Sequence, residues 1–217
     1  MTSPEVSSTS GNRGVVRWAA RYDLLLTLIT LGRESALRER LLDLARLAAG
    51  ESVLDVGCGT GTLTIAAKRR VGPNVVVRGI DASAEMIARA AKKARRAKAD
   101  VTFETAFVES LPLPDAQFDV VLSTVMLHHL RRAVREQSVG EMHRVLKPGG
   151  RLLVVDLMSH DRIEYVVQLG HVWQGFDGEQ VKEWLEHAGF TACRYRPLPA
   201  DPEAKGPALF AASGRKK

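Results

Sequence analysis

Cysteine is nearly absent: the 217 residues hold two, Cys58 and Cys193, far apart and in no ligand-like spacing. That scarcity argues against a disulfide scaffold and against a metal site, and it fits a reducing, cytoplasmic setting. Long hydrophobic runs are missing too. The run "YDLLLTLITLG", from Tyr22 to Gly32, is too short to cross a bilayer. The polar opening stretch has no apolar centre of the kind a secretory signal needs. Aromatic residues make up only 6%, and none interleave with the basic clusters Lys68–Arg70 and Ala88–Lys98. The formal charge of +6, from 31 Lys and Arg against 25 Asp and Glu, therefore reads as solvated helix faces rather than as a nucleic-acid surface.

What the chain does have is length enough for one domain with a substantial core. Residues 1–13 read as a disordered tail. Residues 14–50 read as a helical lid, broken at Gly32, whose second helix runs over Glu34–Ala48 and is closed by Gly50. From residue 51 onward an α/β alternation sets in. The β-branched runs "SVLDV", "NVVVRGI", "VTFE", "FDVVLST" and "GRLLVVDL" each precede a helix or loop. That order predicts a mostly parallel sheet with helices on both faces. The end of the chain differs: a helix reaching Gly189 is followed by "TACRYRPL" and "PALFAASGR" with only a loop between them. Those two runs predict an antiparallel pair at the sheet's edge.

The stretch "VLDVGCGTGTLTI", Val53 to Ile65, places Asp55, Gly57, Gly59 and Gly61 where the first strand meets its helix. In an open α/β sheet this loop is where a ligand binds. It lacks the Gly-Lys-Ser/Thr ending of a triphosphate loop. It also has Thr62 where a dinucleotide fingerprint needs its last glycine. Asp55 would repel a pyrophosphate and attract an ammonium or sulfonium, which points to S-adenosylmethionine. Asp81 ends the second strand, 20 residues after Gly61, a place from which a carboxylate can accept both ribose hydroxyls. Asp81 or Ser83 could equally cap the helix that follows. Met86 can pack on the adenine or simply fill the core.

The motifs "VLDVGCGTGTLTI", "GIDASAEMI", "LPLPDAQFDVVLSTVMLHHL" and "RVLKPGGRLLVVD" together resemble those of class I S-adenosylmethionine-dependent methyltransferases of the small-molecule type. The resemblance covers Tyr22 to the C-terminus. It implies a Rossmann-like, seven-stranded sheet with the last strand antiparallel. Asp55, Gly57, Gly59 and Gly61 would surround the methionine part of the cofactor, and Asp81 would hold its ribose with Ala82 and Met86 beside it. Phe107 and Val108 stand where many relatives carry an acid or amide for the adenine amino group, so backbone groups or an apolar slot would serve instead. Ser123 is expected on the cofactor face, and Tyr22, as an early tyrosine, near the methyl region.

Methyl transfer needs alignment and exclusion of water more than acid–base chemistry, and a base only where the acceptor loses a proton. The candidate bases are His128, after the fourth strand, and His171. His129 is expected to turn into packing, while Tyr165 and Trp173 offer a substrate wall. The N-terminal region and glycine loop are similar to ubiquinone/menaquinone C-methyltransferases. The region from "VVDLMSHDR" onward looks more like methyltransferase domains linked to arsenical-repressor-type regulators. The expected acceptor is a small, largely apolar or aromatic molecule methylated on oxygen or carbon, with a quinone precursor as one alternative. An RNA or protein methyltransferase, or a non-catalytic module using the basic surface, is the other. A monomer or homodimer is expected, without a membrane span.

Overall fold

The apolar runs become strands wherever both of their faces can be covered. The computed structural model describes residues 34–159, 175–199 and 208–217. In chain order these form α1 (Glu34–Leu44), β1 (Val53–Val56), α2 (Thr62–Val71), β2 (Val77–Asp81), α3 (Ala84–Ala97), β3 (Thr102–Thr105) and β4 (Phe118–Thr124). A 3-10 turn at Leu127–His129 follows, then α4 (Arg132–Val145), β5 (Leu146–Leu157), α5 (Gly178–His187), β6 (Thr191–Pro197) and β7 (Leu209–Arg215). The seven strands make one sheet in the order β3-β2-β1-β4-β5-β7-β6. The pairings among β1 to β5 are parallel, and β7 runs antiparallel between β5 and β6. The expected edge pair is therefore present, with its second strand inserted next to β5.

β1 is buried along its whole length, as a strand covered on both faces must be, whereas the edge strand β6 alternates between half-buried and exposed. One side of the sheet is packed by Leu54, Val121 and Val154 against Val139 and Met142 of α4 and Leu185 of α5. The other carries Val53, Leu122 and Val155 against Leu63 and Ala67 of α2 and Leu42 of α1.

Helix α1 departs from the expected lid in two respects. Its described part packs into the core beside α2 and contributes nothing to the cleft lining described below. It also ends four residues earlier than the expected Ala48. Arg46 takes φ 51°, and Leu47 N–H returns to Leu42 C=O while Arg46 N–H returns to Asp43 C=O. This is a helix stop usually served by glycine. The Arg151 guanidinium on β5 makes it tenable by donating to the Ala45 and Arg46 carbonyls at 2.6 and 2.7 Å and pairing with Glu51 at 2.7 Å. Gly50 instead turns at φ 86° and donates its N–H to the Val71 C=O of α2. Residues 1–33 of the expected tail and lid, Tyr22 included, lie outside the described residues.

Gly61 sits before α2 at φ 76°, and a Cβ there would lie 2.6 Å from Phe103 of β3 and 2.8 Å from Ala90 of α3. Its glycine is needed where α2, α3 and β3 meet. Gly61→Ala is expected to lower stability by about 2–4 kcal/mol through left-handed strain and overpacking, read as a fall in urea midpoint at unchanged slope.

Candidate functional site

The strand order reverses between β1 and β4, so a crevice opens at their carboxyl ends. A cleft occupies this place, with about 700 Å³ of space free of protein atoms, its open solvent side included. The end of β1 and its loop supply Val56, Gly57 and Gly59, and the end of β2 supplies Ile80, Asp81 and Ala82. Met86 of α3 closes the back, Ala106 and Val108 come from the segment after β3, and Val125, Met126, His129 and Leu130 come from the segment after β4. Asp81 and His129 are the ionisable side chains among these lining residues.

The glycine loop is stitched to the end of β2. Gly57 and Cys58 N–H both donate to Ile80 C=O, at 2.8 and 3.0 Å, and Gly59 N–H donates to Asp81 Oδ2 at 2.9 Å. Gly57 turns at φ 74°, and a Cβ there would fall 2.3 Å from Met126 Cγ. Asp81 Oδ1 accepts Ser83 N–H at 2.8 Å, while the cap of α3 is Ser83 itself, whose hydroxyl accepts Met86 N–H at 3.4 Å. A carboxylate offers about four acceptor sites, so two backbone bonds leave Asp81 able to accept hydroxyls from the cleft. Burial raises its pKa, against the lowering effect of those two N–H groups. Cys58 stands in the same loop with its thiol pKa pushed up by burial and by Asp55 and Asp81, which makes it a poor nucleophile.

Asp55 lies one residue inside the cleft wall and is 1% exposed. Its Oδ2 accepts the Thr64 hydroxyl at 2.6 Å, and its Oδ1 is buried with no hydrogen-bond partner among the described residues. Burial raises its pKa to about 7, with Asp81 adding repulsion and the Thr64 bond opposing. An orphaned, desolvated carboxylate oxygen beside a glycine loop fits a cationic ligand group, which would restore the charged form.

The other expected site residues fall in several places. Ala82 and Met86 line the cleft with the glycines Gly57 and Gly59. Gly61 is committed to packing, as described above. Of the pair Phe107 and Val108, only Val108 faces the cleft; Phe107 is 41% exposed, and Ala106 takes the second wall position. Ser123 is buried at the end of β4 and absent from the lining, its hydroxyl without a partner among the described residues. The two histidines exchange the places expected of them. His128 is 0% exposed, with Nδ1 2.6 Å from Asp156 Oδ1, and His129 is the one at the cleft. The cause is backbone geometry: Val125 leaves β4 with φ 52°, and the 3-10 turn after it breaks the strand's alternation. His171, Tyr165 and Trp173 lie outside the described residues. Asp156, Val125, Met126 and Leu130 escaped the sequence reading. Asp156 was visible only as an acid ending an apolar strand, "LLVVD".

The Asp55 pKa has a signed consequence. A carboxyl raised from 3.8 unfolded to about 7 folded binds more protons in the native state, so stability falls as pH rises between those values. Asp55→Asn, which cannot ionise, is expected to be the more stable protein in the absence of ligand. The gap should open from about pH 4 to 7 and reach about 4 kcal/mol at most, measured by calorimetric unfolding across that range. Asp81→Ala should weaken S-adenosylhomocysteine binding at least tenfold. It should also lower the ligand-free midpoint, since it removes the acceptor of two backbone N–H groups, worth roughly 1.5–3 kcal/mol each. Titration calorimetry and a melting curve on the same sample separate the two effects.

A methyltransferase domain family matches residues 53–150. The demethylmenaquinone methyltransferase of Thermus thermophilus is 40% identical over 138 residues, 64% of this chain and 61% of that protein. A ubiquinone/menaquinone biosynthesis C-methyltransferase of Hahella chejuensis is 31% identical over 205 residues, 82% of each chain. Among solved structures, a S-adenosylmethionine-dependent methyltransferase from Aquifex aeolicus superposes with a TM-score of 0.66 at 24% identity, over 83% of this chain and 89% of that one, and so shares the fold. Glycine loop, acid-ended second strand, sheet order and extended sequence similarity agree: the chain belongs to the class I S-adenosylmethionine-dependent methyltransferases.

Proposed function

We propose that this chain methylates a small, largely apolar or aromatic acceptor in the cleft over β1, β2 and β4, with carbon methylation of a quinone precursor as the favoured case. The observation that carries the reading is the side of the cleft left over from the cofactor residues. Val125, Met126, His129 and Leu130 make it apolar but for one imidazole, a surface suited to a ring rather than to a charged polymer. The Thermus and Hahella relatives, whose names specify quinone methylation, support the same acceptor class. The basic residues of α3 do not compete with this reading. Lys92, Arg95 and Arg96 are exposed on the face opposite the buried Met86, Ala90 and Ala94, as on any amphipathic helix.

In this reading Asp55, Gly57, Gly59 and Asp81 hold the cofactor, with Met86 and Val108 packing on its flat part. When bound there, S-adenosylmethionine would supply an activated methyl group, transferred to an electron pair of the acceptor with a neutral thioether as the leaving group. The protein's part is to align the reacting groups, a contribution of roughly 7–11 kcal/mol in well-oriented systems. Val125, Met126 and Leu130 wall the acceptor side and keep water from the reacting centre. Among the described residues no helix is long and apolar enough to cross a membrane.

The test is a screen with labelled methyl donor against naphthohydroquinones, phenols, fatty acids, tRNA and a protein lysate. Transfer to a hydroquinone or phenol is expected. Transfer to tRNA or protein alone would overturn the acceptor class, and preference for NAD over S-adenosylhomocysteine in calorimetry would overturn the site.

A further inference from the structure

The segment from Val125 to Leu130 walls the acceptor side of the cleft, and its shape is imposed from outside itself. Val125 holds φ 52°, an outlying conformation for a β-branched residue that persists only where the surroundings over-determine it. Its N–H is held by Val155 C=O of β5 at 2.7 Å, and two buried charged side chains hold the residues that follow. The Asp156 carboxylate, at the end of β5 and 0% exposed, accepts Leu127 N–H at 2.8 Å through Oδ2. Its Oδ1 accepts the His128 ring N–H at 2.6 Å and Leu157 N–H at 2.7 Å. Arg135 of α4, 2% exposed, donates to Leu130 C=O at 2.9 Å. Its guanidinium lies over the Phe176 and Trp184 rings, 4.6 and 5.0 Å from their centroids. The segment is thereby anchored at Leu127, His128 and Leu130. Between those anchors the side chain that reaches the cleft is His129, its ring 4.0 Å from that of His128.

Burying a carboxylate is costly, and an apolar residue at the end of β5 would pack as well. Two of the three donors that offset the cost at Asp156, Leu127 N–H and the His128 ring, belong to the segment that carries the cleft residues on either side of them. Resting on the reading of this cleft as the site of methyl transfer, we propose that Asp156 is a positioning residue which, through His128, presents His129 to the methyl acceptor. An imidazole exchanges protons near neutral pH. It suits an acceptor that forms a bond to the methyl carbon and gives up one proton, and His129 takes that proton.

The experiment uses the full chain, with S-adenosylhomocysteine as the cofactor probe and 1,4-naphthohydroquinone as the acceptor. Asp156→Asn and His128→Leu are each expected to lower kcat at least tenfold while the Kd for S-adenosylhomocysteine changes less than threefold. His128→Asn, which keeps an N–H donor near the Nδ1 position, should recover most of the loss. The double variant Asp156→Asn with His129→Ala should fall no further than His129→Ala alone, because both losses act through one side chain. In histidine-labelled protein the His129 ring signal should shift when S-adenosylhomocysteine is added to wild type, and that shift should be altered in Asp156→Asn. Additive losses in the double variant, no rescue by His128→Asn, or an unaltered His129 response would overturn the proposal. If Asp156→Asn does not fold, the two His128 variants, read by the same His129 shift, decide the matter. If wild type leaves the naphthohydroquinone unmethylated, the acceptor reading fails, and the ring signals alone decide the positioning role.

Discussion

The Asp81 carboxylate ties three segments to one point. Its two oxygens take Gly59 N–H from the glycine loop and Ser83 N–H from the entry to α3, while the residue itself ends β2. Loop, helix start and strand end meet there because a short carboxylate can accept several N–H groups that would otherwise be orphaned at a tight turn. The same geometry leaves lone pairs at the cleft surface. A group that fixes the loop is thus also a group that can receive a sugar hydroxyl, and the structural and binding roles are not alternatives.

Asp55 works on the opposite principle. Nothing among the described residues bonds its second oxygen, so burial pushes its proton affinity up to neutral pH. The ligand-free protein carries a carboxylate that is electrostatically incomplete, and a cationic group placed beside it would complete it. Such incompleteness is a mark of binding sites, where stability is given up for affinity. Asp156 shows how the protein behaves where no ligand is awaited: there three N–H donors surround the carboxylate.

The fold by itself says little about chemistry, since one open α/β sheet hosts many reactions. On the proposed reading, the acceptor meets the segment after β4. That segment is shaped by Asp156 and Arg135 together with the aromatic pair Phe176 and Trp184. Those contacts join α4, β5 and α5 to the cleft wall, so its geometry depends on packing well away from the cleft itself.

The strands, their parallel order, the acid Asp55 near the end of β1 and the loop carrying Gly57 and Gly59 were legible in the sequence. Each rests on a local rule: apolar runs buried on both faces, glycine where the backbone turns tightly, an acid at a strand end. The antiparallel pair at the end of the chain was legible for the same reason. The sequence did not reveal the stop of α1 at Arg46, which an arginine 105 residues away sustains. It placed His128 at the cleft and His129 in packing, the reverse of the structure, because a strand's alternation ends where its hydrogen bonds do, at Val125. It also expected Phe107 and Gly61 at the cofactor and passed over Ala106, whereas Ala106 lines the cleft and the other two do not, since facing the cleft or facing a neighbour depends on which elements pack alongside. Local chemistry determined where a ligand loop had to be; only the tertiary contacts of Asp156, Arg135 and Phe103 decided which side chains stand inside it.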